Sequence, residues 1–216
     1  MADLFDAGLA RAWMLRTAAA VTRERDRLTE LDAAIGDGDH GANLQRGFTA
    51  VVSALDSADG PSTPGAVLVT AGTTLISSVG GASGPLYGSA LRALGKALAT
   101  PTAGPDADAE RMLAALGAAR DALQRLGGAV AGDKTMVDVW IPAVAGFGFA
   151  VEGGATLAGA AQSAASAAEA AAKDTIPLQA HKGRASYLGS RSIGHQDPGA
   201  TSSGLLFRSL AEVLTD

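Results

Sequence analysis

Alanine supplies 48 of the 216 residues, while aromatic residues make up only 4%. At 47% hydrophobic the chain can bury a sizeable core, but that core must be built from Ala, Leu and Val. Alanine has the highest helix propensity, and small side chains let helix axes approach closely. Both properties constrain the chain to packed helices. The length suits one domain over 1–216, with no linker long enough to divide it.

Periodicity supports this. Over 3–30, the spacing of Leu4, Leu9, Trp13, Ala20 and Leu28 predicts one long amphipathic helix, with Arg11, Arg16, Arg23, Arg25 and Arg27 on its solvated face. LDAAIGDGDHG (31–41) breaks the pattern, and helical spacing resumes over 42–57. Loops are expected at 56–65 and 100–108, and glycine-rich turns at 79–88 and 127–136. The apolar runs 66–78 and 137–150 fit either a helix or a buried strand. Further helices are expected after 88 through Leu91, Leu94 and Leu98, then over 109–126, 155–175 and 201–214. An N-cap candidate stands just before 109, and 181–200 reads as a long irregular stretch. The unusual residues all sit in turns.

Several functions are disfavoured. The net charge is −5 and no basic face is concentrated, which argues against nucleic acid as a partner. With no cysteine there is no disulfide, Cys-ligated zinc or thiol nucleophile. No apolar run is long enough for a membrane span, and the N-terminus carries acids where a signal peptide carries bases. A cytoplasmic protein is the expectation. The three histidines lack zinc spacing, and no G-x-S-x-G elbow is present.

Asp32, Asp37 and Asp39 fall within eight residues, among Gly36, Gly38 and Gly41. Three carboxylates so close repel unless a cation or solvent neutralises them, and oxygen-only donors favour a hard cation, Mg²⁺ or Ca²⁺. There is no EF-hand spacing, and few carboxylates with open positions suit Mg²⁺. An acidic turn that only caps the next helix reads equally well. The second turn, Gly80-Gly81-Ala82-Ser83-Gly84, precedes a helix and could bind an anion through its N–H groups, or could simply permit close packing. Arg184 suits a phosphate or an Asp partner, and Asp197-Pro198-Gly199 forms a turn into the last helix. Lys134 is a candidate phosphate contact, although an ordinary exposed lysine is the preferred reading. Acids, anion-binding turns and an arginine together point to a Mg²⁺–nucleotide site.

LDAAIGDGDHGANLQRGF (31–48), SSVGGASGPLYG (77–88), GDKTMVDVWIPA (132–143) and GRASYLGSRSIGHQDPGATS (183–202) resemble, in order, the nucleotide-binding L subunit of dihydroxyacetone kinase. The resemblance implies an all-α closed barrel of about eight antiparallel helices, with nucleotide and Mg²⁺ in the loops at one end. It implies Mg²⁺ ligation by Asp32, Asp37 and Asp39. It places His40, Gly41, Ala42, Asn43, Ala82 and Ser83 around the phosphates. It also places Gly127, Met136, Arg184, Asp197, Pro198 and Gly199 around the rest of the ADP or ATP, with Met136 against the adenine face.

The substrate would be held by a separate K subunit, and phosphoryl transfer asks this chain for positioning and charge neutralisation. The stretches GDKTMVDVW and RSIGHQDPGATS resemble the branch in which an M subunit of the phosphotransferase system rephosphorylates bound ADP from phosphoenolpyruvate. The alternatives are an ATP-dependent kinase subunit, a relative acting on another ketose such as erythrulose, or a nucleotide-dependent regulatory module. Contact with a transcription regulator, and a homodimer, are further partners that the resemblance allows.

Overall fold

Polar caps set where many of the helices begin. The computed structural model describes residues 4–56, 60–99, 104 and 106–216. Its helices are α1 (Ala7–Arg23), α2 (Arg25–Ile35), α3 (His40–Leu55), α4 (Pro64–Ser78), α5 (Ser83–Leu98), α6 (Ala109–Gly127), α7 (Val137–Glu152), α8 (Leu157–Asp174) and α9 (Pro198–Thr215), with a 3₁₀ segment at Arg184–Ser192. Asp6, Thr63, Asp108 and Thr156 each accept a backbone N–H at the start of α1, α4, α6 and α8. The helices α3, α5 and α7 have no such cap from their own N-cap residue. Helix α9, which starts beside them, is capped by its own Asp197.

Each helix from α3 to α9 packs on the next, α9 returns to α1, and α1 packs on α3, which closes a ring of eight. Helix α2 lies against α3 and α9. Among the described residues the only β feature is an isolated bridge between Phe5 and Ala107. The fold is therefore all-α. The connections α2–α3, α4–α5, α6–α7 and α8–α9 all contribute to one cleft, as an up-and-down order requires.

Small residues let the ring close. A Cβ on Gly65 would stand 2.5 Å from the Gly95 carbonyl, and one on Gly88 would stand 2.5 Å from that of Gly72, so α4 and α5 meet backbone to backbone. Ala160, Ala161, Ala164 and Ala168 are buried along α8. Most of the few large rings are buried, Phe149 and Tyr187 excepted. Trp140 meets Phe207 edge to face at 4.9 Å, and Trp13 donates its indole N–H to the Leu206 carbonyl at 2.8 Å.

Three boundaries differ from expectation. The helix expected over 3–30 is two helices broken at Glu24, and the second runs on to Ile35, so Asp32 is helical. The break falls where the Arg25 carbonyl comes against Gly41 of α3. Residues 83–88 of the expected turn already belong to α5. Both ambiguous apolar runs are helices, since no strand partner exists among the described residues. Residues 57–59 and 100–103 with 105, within the two expected loops, lie outside the described residues.

Candidate functional site: a carboxylate trio facing helix N-termini

The helices α3, α5, α7 and α9 all start on the same rim, and all four starts line a cleft of about 270 Å³. Four positive helix ends therefore face one space, which favours an anion there. Asp32 comes from the last turn of α2, and Asp37 and Asp39 from the short connection that follows. One oxygen from each lies within 4.8 Å of the other two. The diagonal of a Mg²⁺ octahedron is about 4.2 Å, so a small side-chain adjustment would suit the ion.

Asp32 does two jobs. Its Oδ2 accepts the amides of Asp39 (2.8 Å) and His40 (3.1 Å), and so caps α3 from across the turn. A Cβ on Gly36 would stand 2.1 Å from Asp32 Oδ1, so glycine there keeps that oxygen clear. The metal-ligand and helix-cap readings of this turn are thus compatible. Arg184 donates to Asp37 at 3.0 Å and offsets part of the trio's charge. The donor set and its clear oxygens fit a divalent cation.

Helix α5 supplies the opposite wall. Its N-cap, Ala82, offers no side-chain acceptor, so its first-turn amides are left for a ligand or solvent. His40 links this wall to α9, with Nδ1 3.1 Å from Ser83 Oγ and Nε2 2.9 Å from Ser202 Oγ. The Tyr87 hydroxyl continues the chain to Ser202 and Ser203, and burial pushes its pKa up to about 12. Burial also pulls His40 below the ordinary histidine value, against the opposing fields of Asp32 and Asp39, so the neutral ring is favoured near pH 7. Leu86, Leu123, Ala129, Met136 and Val137 give the cleft an apolar side suited to a flat ring.

Asp197 caps α9 by accepting the Ala200 amide at 2.7 Å. Burial pushes its carboxyl up to about 7; the Ala200 amide and Lys134 oppose this, and Asp138 and Asp32 add to it. The folded protein thus keeps a proton between about pH 4 and 7 that the unfolded chain gives up. Stability from this group is lost as pH rises through that window, by about 4 kcal/mol at most. Asp197→Asn keeps the capping oxygen and removes the charge. Urea denaturation at pH 5 and pH 8 should show a shallower pH dependence in the variant; parallel curves would contradict the shifted carboxyl.

Of the expected residues, the cleft brings together Asp32, Asp37, Asp39, His40, Ala82, Ser83, Gly127, Met136, Arg184, Asp197, Pro198 and Gly199. Gly41, Ala42 and Asn43 are not among its lining residues. Gly41 instead admits the α2 backbone, and Asn43 accepts a hydrogen bond from Arg46. Lys134 corrects the exposed-lysine reading: it is 1% exposed, and its ammonium is held by backbone carbonyls rather than free for a phosphate. Sequence reasoning also passed over Lys182 and Thr135, which line the cleft. The basic run His181-Lys182-Gly183-Arg184 was the available signal for Lys182.

An all-helical ring that brings a carboxylate trio and the starts of four helices to one cleft defines a helical domain whose donor set suits a divalent cation and an anion. The DAK2 domain family matches residues 34–212, and the chain belongs to that family. It is 44% identical over 199 residues to the Escherichia coli "PEP-dependent dihydroxyacetone kinase, ADP-binding subunit DhaL", covering 92% of this chain and 93% of that one. A Listeria innocua ADP-binding subunit DhaL is 40% identical, covering 96% of this chain and 97% of its own. The dihydroxyacetone kinase of C. freundii superposes with a TM-score of 0.72 at 25% identity over 98% of this chain, which spans only 36% of that longer protein. The same kinase has been solved with AMP-PNP and Mg²⁺; that structure covers 95% of this chain and 34% of its own, with a TM-score of 0.67 at 25% identity. No described helix is long and apolar enough to cross a membrane.

Proposed function

We propose that this chain is the ADP-binding subunit of a phosphoenolpyruvate-dependent dihydroxyacetone kinase. The observation that carries the reading is the trio of Asp32, Asp37 and Asp39 set across one cleft from the uncapped amides of α5. Identity to DhaL subunits over more than nine-tenths of the chain supports it. Asp32, Asp37 and Asp39 would hold Mg²⁺, which when bound neutralises phosphate charge during transfer. The amides of Ala82 and Ser83 would orient the phosphates, with Arg184 beside them. Met136 and the apolar wall would take the adenine.

The terminal phosphate oxygen of ADP would accept a phosphoryl group delivered by an M subunit from phosphoenolpyruvate. The resulting ATP would pass that group to a hydroxyl of dihydroxyacetone held on a K subunit, with loss of the hydroxyl proton. This chain's own residues bind, orient and neutralise, which is most of what phosphoryl transfer asks of a protein. One second reading has a specific observation behind it: "L-erythrulose 1-kinase" of Mycolicibacterium smegmatis is 40% identical over 190 residues, although this chain spans only 32% of it.

Mg²⁺–ADP at a hundredfold excess over its Kd should stabilise the fold by roughly 2.7 kcal/mol. A melting temperature unmoved by saturating Mg²⁺–ADP counts against the proposal. Turnover is tested by mixing the chain with a K subunit, an M subunit, phosphoenolpyruvate and the phosphotransferase carrier proteins. Product that depends on this chain supports the kinase subunit, and binding without turnover supports a regulatory module. Dihydroxyacetone and erythrulose run in parallel separate the two substrates. ADP that survives gel filtration favours the phosphoenolpyruvate route over free ATP.

A further inference from the structure

Lys134 is the one non-glycine residue with positive φ among the described residues, at +60°. A lysine in that conformation is strained and needs compensation. Its Nζ supplies it, donating to the carbonyls of Thr175 (2.7 Å), Leu178 (3.0 Å) and His195 (2.5 Å), with Ile176 at 3.4 Å. Three short bonds use all three N–H donors of an ammonium. Burial pulls the lysine pKa down and the field of Asp197 pushes it back up.

The acceptors belong to the two feet of a single excursion. Thr175, Ile176 and Leu178 follow α8, and His195 shortly precedes α9. The Gly194 amide donates to Ile176 (2.8 Å), and the Asp197 amide to Thr175 Oγ1 (3.0 Å), so the feet already touch. Between them run Lys182, Gly183, Arg184 and Ala185, all lining the cleft. Little apolar surface holds this excursion down: Ala180 and Ala185 form a small cluster with Ile35, apart from the main core. Beside the His181 amide on the Asp133 carbonyl (3.0 Å) and the Arg184–Asp37 ion pair, the buried cation of Lys134 is the group that joins both feet.

We propose that Lys134 is a positioning residue, a tethered cation that clasps both feet of the 175–197 excursion and thereby sets Arg184 and Asp197 against the cleft. The clasp is geometric; its effect on affinity rests on the Mg²⁺–nucleotide reading above. Lys134→Gly accepts the positive φ and removes the whole side chain, while Lys134→Met keeps an apolar stem and removes the ammonium with its three N–H donors.

Amide hydrogen exchange on the full chain without nucleotide should quicken across 176–196 by at least about tenfold in both variants, with α4 and α5 unchanged. The Kd for Mg²⁺–ADP should rise by about tenfold or more, since a charged donor with three acceptors is lost. Ammonium chloride should restore part of both properties in Lys134→Gly, and tetramethylammonium, which has no N–H, should not.

Unchanged exchange in the excursion overturns the proposal. So does faster exchange at unchanged affinity, or loss of protection throughout α4 and α5 in both variants, which would make Lys134 a residue of the whole fold. A wild-type chain that binds no Mg²⁺–ADP would defeat the nucleotide reading instead, and the exchange and ammonium experiments alone would then decide the clasp.

Discussion

Asp32→Ala is expected to lose Mg²⁺–ADP affinity by about a hundredfold or more and, separately, to weaken the fold by roughly 1–2 kcal/mol. The two losses come from two oxygens. Oδ2 caps α3 through the amides of Asp39 and His40, which would be left without an acceptor. The clear Oδ1 over Gly36 is the candidate metal donor, and no neighbouring group replaces it in the trio. Asp32→Asn separates these effects, because an amide oxygen still caps while the anionic donor is gone. Urea melts and titration calorimetry should show near-normal stability with lost affinity for Asn, and both losses for Ala. Mg²⁺–ADP affinity within about threefold of wild type in either variant would take Asp32 out of the metal shell.

Gly41→Ala should destabilise the unliganded protein by about 3 kcal/mol, roughly 6–12 °C in melting temperature. An added Cβ would stand 2.1 Å from the Arg25 carbonyl and 2.6 Å from Thr29 Oγ1. Backbone cannot yield as a flexible side chain can, so α2 must move away from α3 and carry Asp32 with it. A residue that only lined the phosphates would leave the unliganded melt unchanged. That result would show that α2 can shift at little cost. The measurement thus tells apart two roles that sequence resemblance and close helix approach assign to the same glycine.

Much of the architecture was legible because it follows from local chemistry. Alanine-rich spacing over 155–175 and the acceptor at Asp108 need no distant partner to specify α8 and the start of α6. The Glu24 break was not legible: no proline or glycine marks it, and the close approach beside it is to Gly41, across the fold. The two apolar runs could not be assigned by period, because α4 and α7 are apolar around much of their circumference.

The candidate site divides in the same way. Asp32, Asp37 and Asp39 announce themselves by crowding of charge. That Asp32 also caps α3 emerges only once α2 is seen to run on to Ile35. Lys134 was misread because its acceptors are carbonyls more than forty positions away, and backbone groups leave no mark in a sequence.

One more consequence follows from the direction of the helices. Helix α1 begins, and α9 ends, at the pole opposite the cleft, where Phe5 pairs with Ala107. A neighbouring protein module spliced to either end would emerge behind the ring and leave the mouth unobstructed.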